Sequence, residues 1–456
     1  MRHTKLVLAT LAAAVLTACG GTSPGGGDQT QKLSFTQQVS FGDSLSDVGT
    51  YAVGAVKQAG GGKFTINGDG TAKDRELNGK IWLEFMAAEL KLPAPCPAQT
   101  GLIGDAARGF SVPVVQNLTC FNYAQGGSRV TNPIGPGNPF TGSPIGETTV
   151  PLVTQVANHL ARTGNKFSGT ELVTLLSGGN DVLMQLTTLQ TNATNAGTAA
   201  GAQAFGNSLA VQLAAGATSP QAALQAIGAA IAAESARAGS TSQTIVAAAV
   251  GVAARQPGNA AVAQAAVYGP MVAKAQADAS AAGAKAGADY ATANGPRLVQ
   301  ELGRAGTEMA TIVKNEVLAK GARYVVVGNL PDVASTPASK TKSAEIQALT
   351  AAMVNAFNTQ LKAGLGAEDP RLLYVDLYSV SNDQVKNPAP YGLSNTSTPA
   401  CGPNLLGTTS LVCTNANTVA GDVSRYMFAD EIHPTPFEYN LIARYVLKDM
   451  AIKGWL

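Results

Sequence analysis

Residues Val39 to Gly49 read V-S-F-G-D-S-L-S-D-V-G, and the rest of the chain is organised around this stretch. An apolar, strand-like run ends at Gly42, a serine follows at Ser44, and Asp47 with Gly49 is expected to open a helix. A strand-to-helix turn holds a serine at the carboxyl edge of a sheet, with its hydroxyl facing a cleft and its backbone N–H free to bind an oxyanion. The stretch therefore predicts that Ser44 is a nucleophile.

A serine hydroxyl needs an imidazole to take its proton, and the chain has three histidines. His3 lies in a predicted targeting segment, and His159 lies in an ordinary amphipathic helix pattern. His433 follows Asp430 by three residues in F-A-D-E-I-H-P-T. That spacing lets the Asp430 carboxylate bind one ring nitrogen while the other faces Ser44, which is the arrangement of a catalytic triad.

Four short motifs occur in a characteristic order along the chain: G-D-S-L at Gly42–Leu45, N-Y-A-Q-G-G at Asn122–Gly127, G-G-N-D at Gly178–Asp181 and D-E-I-H at Asp430–His433. Together they resemble the SGNH, or GDSL, hydrolase family. The resemblance implies a three-layer, flavodoxin-like α/β fold with a central parallel sheet. It also implies a serine ester hydrolase of the lipase or esterase type, and we expect no cofactor and no metal site.

The resemblance assigns a role to each matching position. Ser44 would be the nucleophile, His433 the base and Asp430 the residue that orients it. The oxyanion hole would consist of the Ser44 N–H, the Gly127 N–H and the Asn180 side-chain amide. These residue types suit the task, because a glycine lets backbone approach a substrate closely and an asparagine amide donates a hydrogen bond without titrating.

Periodicity predicts the elements that would build such a fold. Continuous apolar runs predict buried parallel strands, and apolar stripes at helical spacing predict the helices between them. The expected strands are 37–41, 171–177, 323–328 and 372–376, and the expected helices include 150–163, 296–320, 342–365 and 436–453. Ser44, Gly127 and Asn180 would then all follow strand ends, where open α/β sheets bind ligands.

Between about residues 191 and 293 the composition changes to alanine-rich sequence with almost no aromatic residues. Alanine is the best helix former, and interruptions such as N-A-G and Q-P-G predict several helices. The hydrolase domain would therefore comprise residues 37–190 and 294–456, with 191–293 as an inserted helical, cap-like subdomain. It either covers the active site and controls access, or it is a helical addition without a role there.

The first 18 residues combine a basic start, a short apolar run and a small-residue end, which predicts a secretion signal too short to span a membrane. The ending L-T-A-C resembles a bacterial lipobox, which implies lipid attachment to Cys19 and a membrane anchor. Residues 19–36 would form a flexible tether. The resemblance to bacterial lipoproteins, with glycine rather than aspartate after Cys19, implies the outer membrane of a Gram-negative bacterium. An ordinary signal peptide, with a periplasmic or secreted product, is the alternative.

Charge and cysteine content restrict the remaining possibilities. The formal net charge of +2 falls to about zero once Arg2 and Lys5 are removed with the signal, so no basic field would attract nucleic acid. Four cysteines remain in the mature chain, which allows three pairings. We favour Cys96 with Cys120 and Cys401 with Cys413, since each pair closes a short loop. No Cys and His cluster suits a structural zinc site.

The leading hypothesis is an ester hydrolase that acts on a small-molecule or lipid ester. Two alternatives use the same sequence features. An acyltransferase would form the same acyl-enzyme and pass it to a lipid or another alcohol instead of water. A non-catalytic envelope lipoprotein would retain the fold as a binding module, although the presence of all three triad residues and all three oxyanion-hole positions argues against loss of activity.

Overall fold

The computed structural model describes residues 33–68, 77–138, 143–146, 149–366 and 368–456. The predicted signal peptide, Cys19 and most of the predicted tether lie outside the described residues. Within the described ranges the strands are β1 (Gln38–Gly42), β2 (Gln99–Leu102), β3 (Val112–Gln116), β4 (Gly135–Asn138), β5 (Ser143–Gly146), β6 (Leu172–Leu176), β7 (Tyr324–Gly328) and β8 (Leu372–Val375).

The α-helices of the described residues carry the connections between these strands. They are α1 (Gly54–Gln58), α2 (Trp82–Glu89), α3 (Leu152–Arg162), α4 (Gly179–Ala214), α5 (Pro220–Ser235), α6 (Ser242–Ala253), α7 (Ala265–Ile312), α8 (Pro337–Lys340), α9 (Ala344–Leu365), α10 (Leu377–Lys386) and α11 (Pro436–Ile452). None of them combines the length and the apolarity that crossing a bilayer requires.

The central sheet is parallel, with the strand order β1-β6-β7-β8. The extended segment 121–125 continues it beyond β1, because the Tyr123 N–H donates to Ser40 O at 2.7 Å and the Gln125 N–H donates to Gly42 O at 3.1 Å. Counted with this segment, the order in the sheet is 2-1-3-4-5, the flavodoxin-like order. The direction in which successive strands are added to the sheet thus reverses between β1 and β6, and such a switch point is where ligands bind in sheets of this kind.

Helices cover both faces of this sheet. Alternating strand side chains such as Val173 and Val325 pack against α3, the second half of α7, and α9, while Leu176 and Val326 pack against α2 and α11. Period-two alternation with apolar residues on both sides leaves neither face of the strands to solvent. The result is the three-layer α/β fold that the sequence predicts.

Helices α4 and α7 extend well past the sheet. Helix α4 has 36 residues and α7 has 48, so at 1.5 Å per residue they are about 54 and 72 Å long. Their distal ends, with α5 and α6, form a separate apolar core that includes Leu209, Leu213, Ile227 and Ala249. The predicted boundaries at 190/191 and 293/294 fall inside α4 and α7.

Two local predictions are wrong. No helix opens at Asp47, because its carboxylate accepts the N–H groups of Gly49 and Thr50 and holds a turn, so that the next helix along the chain begins at Gly54. No helix begins at Pro296 either. Pro296 lies inside α7, and the packing of α7 against both α4 and α9 keeps the helix continuous across a residue that by itself favours a break.

Candidate active site

Ser44 lies in a tight turn directly after β1, at the carboxyl edge of the sheet. The strand ends at Gly42, where φ is +154° and a Cβ atom would lie 2.3 Å from Leu176 O, so only glycine fits. The Asp47 carboxylate then ties the turn to the next strand by accepting the Gly126 N–H at 3.0 Å. The strand end and this buried carboxylate together fix the position of Ser44, whose side chain lies in the cleft.

His433 reaches Ser44 from the opposite end of the sequence. Its Nε2 atom lies 2.9 Å from Ser44 Oγ, and its Nδ1 atom lies 2.8 Å from Asp430 Oδ2. The ring of Phe64 lies 4.8 Å from the imidazole, measured between ring centroids. The three side chains that the sequence singles out thus form a continuous hydrogen-bonded chain.

Asp430 is buried, and both of its carboxylate oxygens accept hydrogen bonds. Its carboxylate accepts the N–H groups of Ile432, His433 and Ser410, at 2.7 to 2.9 Å, besides facing the His433 ring. Burial alone would raise the pKa of Asp430, but the His433 imidazole and these hydrogen bonds outweigh burial and hold the pKa well below its ordinary value. Asp430 is therefore a carboxylate that can orient His433 and stabilise its protonated form.

The three predicted oxyanion-hole positions line the same cleft as Ser44. Among the described residues no protein acceptor binds the backbone N–H of Ser44 or that of Gly127, so both donors are available to a ligand. The side-chain amide of Asn180 donates one hydrogen bond to Ser128 O at 2.8 Å. The second N–H of this amide remains for another acceptor. Gly127 has φ of +84°, a conformation that glycine adopts without strain.

Asp181 holds the Gly127 loop against the start of α4. Its carboxylate accepts hydrogen bonds from the Nε–H of Arg129 at 2.9 Å and from the backbone N–H of Val130 at 3.0 Å. The side chains of Arg129 and Asp181 are both largely buried. Because Asp181 follows Asn180 directly, one helical turn fixes both the asparagine and the loop it faces.

Sequence reasoning missed Gln155, which connects β1 to the Gly127 loop. This side chain is 1% exposed; Oε1 accepts the Gly42 N–H, and Nε2 lies 2.8 to 2.9 Å from Gly42 O, Ser128 Oγ and Val150 O. The signal was present in the sequence, since Gln155 occupies an apolar position of the helix stripe formed by Leu152, Val156 and Leu160. A polar residue at a core position of a helix requires partners.

The cleft around Ser44 has a volume of about 410 Å³ and mostly apolar walls. Its apolar lining comes from several elements: Leu45, Val56, Phe64, Leu102, Ile103, Phe110, Leu183, Leu330, Val333, Leu377, Val380, Leu411, Phe428 and Ile442. None of the residues 191–293, all of which the structure describes, lines it. In this conformation the inserted helices therefore do not cover Ser44.

Asp43 and Glu438 are buried acids that also line the cleft. Burial raises the pKa of Asp43, next to Ser44, to about 7, and it raises the pKa of Glu438 to about 8. Gln384 Nε2 donates to Glu438 at 3.1 Å, while Gln384 Oε1 has no partner among the described residues. With its pKa raised in this way, Glu438 keeps its proton at neutral pH and places no charge beside Gln384.

His159 is not part of this site. It is fully buried among the rings of Phe41, Tyr123 and Phe167, where burial lowers its pKa to about 4. The amphipathic pattern therefore predicted its position correctly, and His433 is the histidine in the described residues that reaches the cleft.

The two disulfides stabilise loops beside the site. Cys96 is bonded to Cys120 and Cys401 to Cys413, which are the pairs that the sequence analysis favours. The Cys401 N–H donates to Ala429 O at 2.7 Å, directly before the Asp430 turn. The second disulfide thus lies in the loop that supports Asp430 and His433.

Part of the chain is similar to a known protein family. The family model described as GDSL-like Lipase/Acylhydrolase matches residues 188–446, more than half of the chain. The chain belongs to this family. The matched region of this family member contains Asp430 and His433, whereas Ser44, Gly127 and Asn180 precede it.

Curated relatives from Arabidopsis thaliana are similar to shorter parts of this GDSL-like chain. GDSL esterase/lipase At2g40250 is 30% identical over 28% of the chain and 40% of its own length, and GDSL esterase/lipase At2g30310 is 29% identical over 31% of the chain and 41% of its length. The anther-specific proline-rich protein APG is 29% identical over 28% of the chain and 25% of its length. The chain thus spans about two-fifths or less of these relatives.

Proposed function

We propose that the protein is a serine ester hydrolase that works through an acyl-enzyme. Ser44 Oγ attacks the ester carbonyl while His433 Nε2 takes its proton, and Asp430 stabilises the imidazolium that forms. The N–H groups of Ser44 and Gly127 and the Asn180 amide bind the oxyanion. His433 then protonates the leaving alkoxide, and water, activated by the same imidazole, releases the acid.

One observation carries this proposal, namely the 2.9 Å contact between His433 Nε2 and Ser44 Oγ. That distance is within the range in which a general base takes a proton from its nucleophile. The mostly apolar cleft further supports an ester with an apolar acyl or alcohol group.

Hydrolysis of a soluble short-chain aryl ester tests the proposal. We expect Ser44→Ala to lower kcat by at least about 10³-fold, because the nucleophile is lost. Ser235→Ala, which changes an exposed serine of α5, is the matched control and should leave the rate unchanged. Equal rates in wild type and Ser44→Ala would refute the assignment and favour the non-catalytic alternative.

We also propose that residues 37–190 and 294–456 form the hydrolase domain and that 191–293 form an inserted helical subdomain. The separate apolar core of the distal helices supports this division, since a subdomain needs a core of its own. A subdomain of this kind should be removable while short-ester turnover is retained.

Export and lipid attachment at Cys19 are a proposal from the sequence alone, as the relatives reported above are plant proteins. If residues 1–18 are a signal peptide and Cys19 is acylated, a labelled fatty acid should be incorporated in a bacterial host and the protein should fractionate with membranes. Cys19→Ser should abolish both results, while Ser23→Ala, a control in the same segment, should not. Unchanged labelling of Cys19→Ser would contradict the proposal.

A further inference from the structure

Exposed aliphatic side chains are concentrated in residues 99–118, which comprise β2, β3, the loop between them and the two residues after β3, and which are called the β2–β3 hairpin below. Ile103 is 55% exposed, Val114 48%, Val115 55% and Leu118 71%. The other large apolar residues exposed in the described part of the chain are scattered along the sequence, as is normal for a surface. A group of four on one hairpin is not explained in that way, and such patches mark interaction sites.

The hairpin is apolar on both of its faces. Val114 and Val115 are consecutive in β3, so their side chains project to opposite sides of the ribbon, and both are exposed. A flat protein partner would cover one face of such a ribbon. A fluid apolar phase covers both.

The hairpin is also a fixed part of the molecule. The disulfide between Cys96 and Cys120 closes its base, and the Asn117 N–H donates to Ala98 O at 2.8 Å. Near its tip the Ala55 N–H of α1 donates to Gly109 O at 3.2 Å. The exposed side chains are therefore held in place and are not the surface of a mobile flap.

The exposed patch continues into the cleft that contains Ser44. Leu102, Ile103 and Phe110 all belong to the hairpin and all line the cleft, and Ile103 is more than half exposed at the same time. An apolar molecule on the hairpin surface would thus contact the cleft through Ile103.

Charge and area indicate what covers the patch. Residues 99–118 carry one acid, Asp105, and one base, Arg108, and the Arg162 guanidinium donates to the carbonyls of Asn117 and Leu118, so the segment and this neighbour carry one net positive charge, too little to favour an anionic surface strongly. A dimer that buried the four side chains would cover on the order of a few hundred Å² per copy, against about 800 Å² per partner in a standard interface. The patch is therefore small for self-association but adequate for shallow insertion into lipid.

We propose that the β2–β3 hairpin binds the surface of uncharged or zwitterionic lipid aggregates and positions their esters at the cleft. This inference rests on the proposed ester hydrolase function and narrows its substrate to aggregated lipid esters. Insertion removes the exposed aliphatic side chains from water, which is the driving force, and Ile103 connects the lipid phase to the site.

Flotation with phosphatidylcholine vesicles tests the surface directly. All proteins are the full chain carrying Cys19→Ser, so that no acyl group at Cys19 contributes to binding. The test variant is Val115→Ser with Leu118→Ser, because both residues are exposed and neither lines the cleft. We expect its partition into vesicles to fall at least about tenfold, since two aliphatic side chains are lost from the inserted surface.

The matched control is Val211→Ser with Ile452→Ser, which removes two equally exposed aliphatic residues elsewhere on the molecule. It should bind vesicles as the parent does. In the test variant, hydrolysis of an emulsified long-chain ester should fall by a similar factor, whereas hydrolysis of a soluble short-chain ester and the melting temperature should stay as in the parent.

Equal vesicle binding by the test variant and the parent would overturn the proposal. So would a parent dimer in sedimentation that the test substitutions convert to a monomer, because the patch would then bind a second copy of the chain. A parent that binds vesicles through the hairpin but hydrolyses no soluble ester would refute the proposed function and leave the lipid-binding surface intact.

Discussion

Gln155 shows how one side chain determines the geometry of the candidate site. Its amide binds both backbone groups of Gly42, at the end of β1, and also reaches Ser128 and Val150 beside the Gly127 loop. Ser44 belongs to the first of these segments and Gly127 to the second. The distance between nucleophile and oxyanion donor thus depends on a residue that does not itself line the cleft.

We expect Gln155→Met to lower kcat by about 10- to 100-fold with little change in KM, because the site loosens while the cleft walls remain. Unfolding free energy should fall by about 1–3 kcal/mol, since buried partners lose their hydrogen bonds. Steady-state kinetics and urea unfolding measure the two effects. Gln190→Met, on the exposed side of α4, is the control. A stability loss without a change in kcat would show that Gln155 has only a structural role.

Glu438 gives a pH dependence of stability with a definite sign. Burial raises its pKa from 4.5 to about 8 in the folded protein, so the folded state holds its proton over a pH range in which the unfolded state releases it. Stability from this group is therefore present below about pH 4.5 and is lost as the pH rises towards 8.

Glu438→Gln removes this titration while it keeps the shape of the side chain. We expect the variant to be more stable than wild type at pH 8, by at most a few kcal/mol, and the difference to disappear near pH 4. Urea unfolding across this pH range measures it, with exposed Glu89→Gln as the control. A difference that does not vary with pH would contradict the assigned pKa.

At the scale of elements, helices α4 and α7 approach closely through small residues. A Cβ atom at Gly197 would lie 2.7 Å from Gly283 O, and one at Gly283 would lie 2.9 Å from Gly197 O. Gly201 lies one helical turn after Gly197 on α4, and Gly287 lies one turn after Gly283 on α7, so each helix has a row of small residues. The backbone contact replaces the apolar side chains that the alanine-rich sequence lacks.

We expect Gly197→Ala to destabilise the helix pair, because the added methyl group meets backbone that cannot move without separating the helices. Gly228→Ala is the matched change, since a Cβ atom at Gly228 meets nothing within 4 Å. It should stabilise α5 by about 0.5–1 kcal/mol through helix propensity alone. Thermal unfolding followed by circular dichroism measures both variants, and effects of the same sign would refute the packing argument.

The loop between Cys401 and Cys413 is the other element that matters to the site. It supplies the Ser410 N–H to Asp430 at 2.7 Å, and Cys401 pairs with Ala429 beside the same turn. The sequence shows the cysteines and their spacing. It does not show that this loop supports the acid of the proposed triad, since Asp430 and Ser410 meet only through the tertiary fold.

For the whole molecule, the role of the helical insertion can be decided by its removal. Residues 191–293 do not line the cleft, so a chain in which a short Gly/Ser linker replaces them should keep both short-ester turnover and the chain-length preference of the parent. A series of aryl esters of increasing acyl length measures the preference. A relaxed preference in the shortened chain would instead support the cap interpretation.

Much of the fold was predictable because its signals are local. Buried parallel strands are continuous apolar runs, so the predicted strands agree with β1, β6, β7 and β8 to within a residue or two at each end. The predicted helix at Asp47 failed because a side chain that caps a helix can equally hold a turn. The predicted start at Pro296 failed because packing against α4 and α9, both distant in sequence, overrides the local preference of proline.

The sequence alone determined which residues are candidates for chemistry, since Ser44, Asp430 and His433 are recognisable by residue type, spacing and motif. Only the tertiary structure decided that Ser44 and His433 meet at 2.9 Å, that Gln155 connects the strand end to the Gly127 loop, and that the inserted helices lie outside the cleft. The physical reason is that residue types and local periodicity are properties of short stretches of sequence, whereas contacts between residues hundreds of positions apart depend on how the whole core packs.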